Sequence, residues 1–363
     1  MVAPVISVVV PVYNNAKNLP SLLETLGQLS ARAEAEFDQQ LEAVFVVDGS
    51  PDESYLCLAT ALPRVHYAAQ LINLSRNFGA FAAIRAGLKA ARGDTIAVLA
   101  ADLQEPPNLI LEFHGRLATG DYDVAVGRRI GREDPARSRL ASALFWALYR
   151  RFVIPDLPAG GVDVFAISSQ VRDHIVDLNE SNTSLVGLLF WVGFRRAEVP
   201  YRRRAREVGV SAWTFRKKLR YLNDSVFSFS DLPIRVLLAL GAIGLTIGAV
   251  FGLLILSAKI LGSIPVPGYA TTTLLVIVFG ALNCFGLGVV GGYVWRTYEN
   301  TKARPNYLIA TQRTFTPPPR TLGHARGELT PAESTNRPRG DTDLTAGEGL
   351  TARDLADRTG PGS

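Results

Sequence analysis

Between Arg235 and Lys259 lie 23 consecutive uncharged residues, VLLALGAIGLTIGAVFGLLILSA. A helix of about 20 apolar residues crosses a bilayer core, and a globular core seldom excludes charge for so long. A second uncharged stretch runs from Ile260 to Trp295 and is broken early by Pro265, Pro267 and Gly268. Those breakers read as a turn, so 233–300 is expected to hold two transmembrane helices at about 236–259 and 271–295. The competing reading is a buried globular hairpin. Arg235 flanks one end, Arg296, Lys302 and Arg304 flank the other, and the connecting loop has only Lys259 at its edge. The positive-inside bias then places a multi-pass protein in the cell (inner or plasma) membrane with both termini cytoplasmic.

Composition narrows the remaining classes. Only 20% of the 363 residues are charged, against 48% hydrophobic, which agrees with membrane segments. Cys57 and Cys284 stand far apart, and the four histidines lack ligand spacing, so a disulfide scaffold and a zinc enzyme are excluded. The net charge of +5 is unevenly placed: 201–220 carries eight Lys/Arg against one Glu, whereas 312–363 balances seven arginines with seven acids. A basic cluster just before an apolar segment reads as a membrane-surface patch, with membrane lipids as partners and no nucleic acid. The N-terminus, MVAPVISVVVPVYNN, has neither a basic leader nor a cleavage site. It reads as a strand opening a cytoplasmic domain.

From there strand-like runs (5–10, 41–47, 65–73, 95–100) alternate with helical spacing (19–29, 53–61, 81–91, 108–117). That alternation implies an α/β domain with a mostly parallel, doubly wound sheet, expected over 1–212. Two stretches, 138–153 and 213–226, mix aromatics, aliphatics and basic residues. Each fits an interfacial amphipathic helix as well as an ordinary core helix, and the nearby spans favour the interface, particularly for 213–232. After Tyr307 the chain loses periodicity, so 308–363 is expected to be a disordered cytoplasmic tail.

In an open parallel sheet, ligands bind beyond the carboxyl ends of the strands. Polar clusters follow three strands: Pro11-Val12-Tyr13-Asn14, Asp48-Gly49-Ser50-Pro51-Asp52, and Ala101-Asp102-Leu103-Gln104-Glu105. Each alone is ordinary turn chemistry. Together they suggest a pocket in which Asp48 and Asp102 read a base or ribose and hold a divalent cation on phosphates.

VVVPVYNN, VVDGSPDES, LSRNFGAFAAIRAGLKAARGD and ADLQEPP, in that order, resemble the signatures of family 2 glycosyltransferases with the glycosyltransferase A-type fold. More narrowly the chain resembles the polyprenyl-phosphate glycosyltransferases, the group of dolichyl-phosphate mannose synthases and bacterial undecaprenyl-phosphate sugar transferases. GRRIGREDPARSRLASALFW, GGVDVFAIS, WVGFRRAEVPYRRRAREVGVSAWTF, FSDLPIRV and GLGVVGGYVWRTYENTKARPNY continue the likeness to the end of the second apolar segment.

The resemblance implies a hexosyltransferase-type enzyme. It would transfer a sugar with inversion from a nucleotide-sugar donor, a UDP-sugar before GDP-mannose, to a membrane polyprenyl phosphate, for cell-envelope glycan or protein glycosylation. It implies Mg²⁺ or Mn²⁺ at Asp102, and a catalytic set of Asp163, Asp102 and Arg203. Pro11, Tyr13, Asn14, Asp48, Ser50, Arg76, Asn77, Ala101, Asp102 and Gln104 would bind the donor. Arg128, Arg203, Arg206 and Ser211 would bind the diphosphate or the acceptor phosphate. Membrane relatives imply self-association into a homo-oligomer. The chain departs from the family at Asn15, Val47, Ala100 and Phe165, where a Glu, the first acid of the DDGS motif, the first acid of the DxD motif and an Arg are usual. Retained Asp48, Asp102, Asp163, Arg203 and Arg206 oppose the alternative of a catalytically silent binding protein. A processive synthase would need a QxxRW motif and more spans; a channel would need ionisable residues within its spans.

Overall fold

VISVVVPV is apolar on both sides, as a strand must be when both faces of its sheet are covered. In the computed structural model, which describes residues 5–130, 147, 149–151, 154–158, 161–178, 180, 183–203, 222, 224–261 and 268–317, it forms β1 (Val5–Val12). Ile6, Val8, Val10 and Val12 enter one core and Val9 the other. β2 (Gln40–Val47), β3 (Ala68–Leu74) and β4 (Thr95–Val98) join it in parallel, in the order β3-β2-β1-β4. Helices α1 (Leu19–Phe37), α2 (Ser54–Ala61) and α4 (Leu109–Ala118) supply Leu22, Leu26, Leu58 and Ile110 to the first core. On the other face, α3 (Ala80–Ala90), α5 (Ser169–Asp177) and α6 (Leu185–Trp191) supply Leu88, Val171, Ile175 and Leu189.

The local signals are ordinary ones. Pro20 sits in the first turn of α1, where its missing N–H costs nothing, and Asp38 ends the helix in the left-handed region at φ 54°. Ser168 and Ser184 cap α5 and α6 by accepting the amides of Val171 and Gly187.

Beyond β4 the sheet becomes mixed. β5 (Val124–Arg129), β6 (Phe165–Ser168) and β7 (Arg196–Tyr201) complete that side, with β6 antiparallel to both β4 and β5. The final strand, β8 (Ile309–Phe315), lies antiparallel against β3, giving the order β7-β5-β6-β4-β1-β2-β3-β8. This corrects the expectation of an unstructured chain from 308: Ile309–Phe315 is an edge strand, and the tail from 318 onward lies outside the described residues.

α7 (Leu232–Ile260) and α8 (Tyr269–Thr301) enclose the two expected spans, 236–259 and 271–295. Their most apolar windows, with mean hydropathies of 2.3 and 1.5, are 0% buried. They are long and apolar enough to cross a membrane, and their exposure in this chain is the opposite of what a buried core hairpin would show. A helical segment at 224–229 joins them to the sheet domain. Phe229 lies against Gly187, where a Cβ would come within 2.2 Å of its ring. Asp224 pairs with Arg296 at 2.7 Å, and Phe227 stacks on Tyr293 with centroids 5.1 Å apart. The interfacial readings of 138–153 and 213–226 fall largely outside the described residues, though Tyr149 is 1% exposed and belongs to the protein core.

Candidate active site

β1 and β4 pair only as far as Val9, whose carbonyl accepts the Leu99 amide. In a strand the N–H and C=O of one residue point to the same side, so odd-numbered residues of β1 face β4. Pro11, the next of these, has no N–H to offer, and β4 has already turned away. A crevice therefore opens at the carboxyl ends of β1 and β4, where the strand order reverses direction.

The wall on the β2 side is built by carboxylates that grip backbone. Asp48, 2% exposed, accepts the amides of Phe78 at 2.7 Å and Gly79 at 2.8 Å at the start of α3. Burial pushes its carboxyl up, against the pull of those amides and of the Arg76 charge. Gly49, at φ +54°, passes so close to the next loop that a Cβ would lie 2.3 Å from the Arg76 carbonyl carbon. Asp52 ties the first two loops together, accepting from Ser50 at 2.6 Å and from the Ala16 amide at 3.0 Å. Burial would raise its pKa, but these bonds and those from Ser54 hold it at about 2. The Asn14 amide donates to Ser50 Oγ at 2.7 Å, with Asn14 itself in the left-handed region. Tyr13, 41% exposed, lines the rim. Arg76 and Asn77 are exposed, and the Arg76 guanidinium stacks 4.0 Å from the Phe78 ring centroid.

Across the crevice, acids and arginines interleave. Asp102 is half-buried in the loop after β4, and the Gln104 amide approaches its Oδ1 at 3.5 Å. Leu103, between them, takes φ 51° while its side chain packs on the core. Arg203 donates to Gln104 Oε1 at 2.8 Å, places Nε 3.1 Å from Glu105 Oε1, and lies 4.0 Å from Asp163 Oδ2. Arg129 binds Asp163 directly, and the Tyr201 hydroxyl donates to the same oxygen at 3.2 Å. Glu105 is 1% exposed and, among the described residues, neither oxygen receives an aligned side-chain hydrogen bond; the Arg203 charge lies nearest, and the Arg129 charge also favours its ionised form. Burial pushes its carboxyl up, the Arg203 charge opposes this, and the Asp102 charge adds to it. Burial likewise raises the Tyr201 hydroxyl, which therefore stays a donor.

Asp102, Gln104, Asp163 and Arg203 thus converge. Pro11, Tyr13, Asn14, Ser50, Arg76 and Asn77 line the opposite wall, with Asp48 beneath them as a brace. Two residues fall elsewhere: the Ala101 side chain is in the core, and Arg128 points to the other side of β5, paired with Glu198 at 3.1 Å. Arg206 and Ser211 lie outside the described residues. Sequence reasoning named Glu105 only as part of a polar cluster and did not single out Arg129 or Tyr201. The signal for Arg129 was strand alternation, which gives adjacent arginines opposite faces.

The family model described as Glycosyl transferase family 2 matches residues 7–168. A glycosyltransferase of Synechocystis that has not been characterised, sll0501, is 31% identical over 84% of this chain and 94% of its own length. The bactoprenol glucosyl transferase of Shigella phage SfX is 30% identical over 85% of this chain and 99% of its own. The undecaprenyl-phosphate 4-deoxy-4-formamido-L-arabinose transferase of Sodalis glossinidius is 30% identical over 84% and 92%.

Proposed function

The chain belongs to glycosyl transferase family 2, and on that premise we propose that it transfers a sugar from a nucleotide-sugar to the phosphate of a membrane polyprenol. The observation that carries this reading is the cluster of Asp102, Glu105, Asp163, Arg129 and Arg203 at the reversal point of the sheet. Two exposed helices on the same chain, long and apolar enough to cross a membrane, support an acceptor that resides in one. The polyprenyl acceptors named for the phage and Sodalis relatives support the same choice.

The chemistry suits these residues. A phosphate oxygen of the acceptor attacks the anomeric carbon, the bond to the donor diphosphate breaks, and the nucleoside diphosphate leaves with inversion. The attacking phosphate is already an anion, so the site needs positioning and charge neutralisation more than a strong base. Arg203 and Arg129 are held by carboxylates along the crevice, and their planar forks suit phosphate oxygens. Asp163, fixed by Arg129 and Tyr201, orients the acceptor or the sugar.

Among the described residues no group of three His, Cys, Asp or Glu side chains forms a metal cage. The half-buried Asp102 carboxylate still fits a hard divalent cation that completes its shell with donor phosphates and water. Asp102 would hold Mg²⁺ or Mn²⁺, which when bound neutralises charge on the departing diphosphate. Lys/Arg bias at the span ends supports an orientation with the sheet domain and both termini cytoplasmic.

A donor screen tests the reading. The protein in lipid, with polyprenyl phosphate and Mg²⁺ or Mn²⁺, is given UDP- and GDP-sugars one at a time while nucleotide release is followed. Turnover with a UDP-sugar is expected; folded protein inert to every donor would favour the silent binding protein.

A further inference from the structure

The chain returns from the second apolar helix directly to the rim of the donor wall. Thr301 ends α8, and seven residues later the Leu308 carbonyl accepts the Ser75 amide at 2.9 Å. Seven extended residues reach at most about 25 Å, so this is a short leash. β8 then runs antiparallel along β3, with a register shift between Asn73 and Leu74, where the strand leaves the sheet for the crevice. Side chains secure it: Thr311 Oγ1 donates to the Tyr55 hydroxyl at 3.3 Å, and Gln312 Nε2 to Gln70 Oε1 at 3.2 Å. Tyr307 packs against the same core as Phe78 and Phe81.

Ser75 is followed by Arg76 and Asn77, the exposed residues of the donor wall, and then by Phe78 and Gly79, whose amides Asp48 holds. The loop is thus gripped at both ends, by Leu308 on entry and by Asp48 on exit. We propose that residues 302–315 are a positioning strap: Leu308 and β8 set the conformation of the 75–79 loop and fix the donor wall at a short distance from the membrane end of α8. The substrate part of this inference rests on the reading that Arg76 and Asn77 meet the nucleotide-sugar. The positional part does not.

Adjacent residues of an edge strand alternate in which one donates to the sheet, so Thr311→Pro with Gln312→Pro removes a ladder N–H whichever of the two faces β3. Amide exchange on this variant, with no ligand present, is the first reading. Phe78 and Gly79, remote from the substitutions in sequence, should exchange about tenfold faster or more, with β1 and β4 unchanged, as expected when a constraint worth about 1.4 kcal/mol is lost. A chain ended after Arg304 removes the strap without introducing proline and should do the same, whereas one ended after Pro317 should match the full chain. Unchanged protection of Phe78 and Gly79 in the two strapless forms overturns the proposal. The second reading is kinetic: donor KM should rise about tenfold with acceptor KM unchanged, because only the donor wall loses its preorganisation. An equal rise in both constants, or none, would contradict it. Should the full chain turn over no nucleotide-sugar, the proposed function fails while amide exchange still decides the strap.

Discussion

Both oxygens of Asp48 accept backbone amides, at 2.7 and 2.8 Å, so its carboxylate shapes the wall on the β2 side instead of facing the crevice. Asp48→Asn would set an amide NH₂ against one of those N–H groups. Leaving a buried donor unsatisfied costs about 1–3 kcal/mol, so a lower midpoint in urea is expected together with a raised donor KM. A normal midpoint and KM would remove the brace. Asp102→Asn should instead abolish turnover at unchanged stability, and wild-type rates with Mg²⁺ would take Asp102 out of the metal site. Asp52 sets an acid limit. Its folded pKa of about 2 lies below the ordinary 3.8, so its contribution is present above 3.8 and is lost as pH falls towards 2. The stability advantage of the native chain over Asp52→Asn, about 1 kcal/mol after solvent screening, should therefore hold at neutral pH and vanish between about pH 4 and 2. An advantage independent of pH would contradict the assignment. At this scale the sequence displayed the acids but not their partners. Asp48 and Asp102 look alike as turn aspartates, and only folding brings the Phe78 amide to one and leaves the other in the crevice. Arg128 and Arg129 are likewise indistinguishable until the direction of β5 is known.

Among the elements, those with a buried apolar face were legible and those held by backbone pairing were not. β1 to β4 and α2 to α4 fell close to where hydrophobic periodicity placed them, α1 ran on to Phe37 beyond the expected 19–29, and each uncharged stretch contributed a long helix. β8 carries IATQRTF, and six of its seven residues are exposed. Its place comes from the open edge of β3, which no periodicity records. A truncation meant to spare the folded protein should therefore come after Pro317; one after Thr311 would cut through the strand. The joint between sheet domain and membrane helices has its own test. Gly187 leaves room for the Phe229 ring, and a Cβ there would come within 2.2 Å of it. Gly187→Ala should destabilise the protein by about 1–3 kcal/mol through overpacking, and Gly187→Ala with Phe229→Leu should recover part of the loss. An unaltered unfolding midpoint in Gly187→Ala would show that the contact relaxes freely.

For the whole molecule, a nucleotide-type crevice and two exposed apolar helices meet on one chain, and each limits what the other can mean. The crevice suits a diphosphate donor. The helices restrict the acceptor to something that reaches a membrane surface. The fold class, the apolar hairpin and the family were readable in the sequence because they rest on long periodic runs and ordered motifs. The acid–arginine lattice of Glu105, Arg129 and Tyr201 was not, since it joins residues up to about a hundred positions apart. The most direct test supplies the reconstituted protein and its preferred donor with either a polyprenyl phosphate or the same polyprenol lacking phosphate, and weighs the lipid product by mass spectrometry. The account predicts a lipid-linked sugar phosphodiester, formed with one nucleoside diphosphate released per sugar, and only from the phosphorylated lipid. Sugar appearing on the free alcohol, or nucleotide released at the same rate with no lipid acceptor, would contradict it.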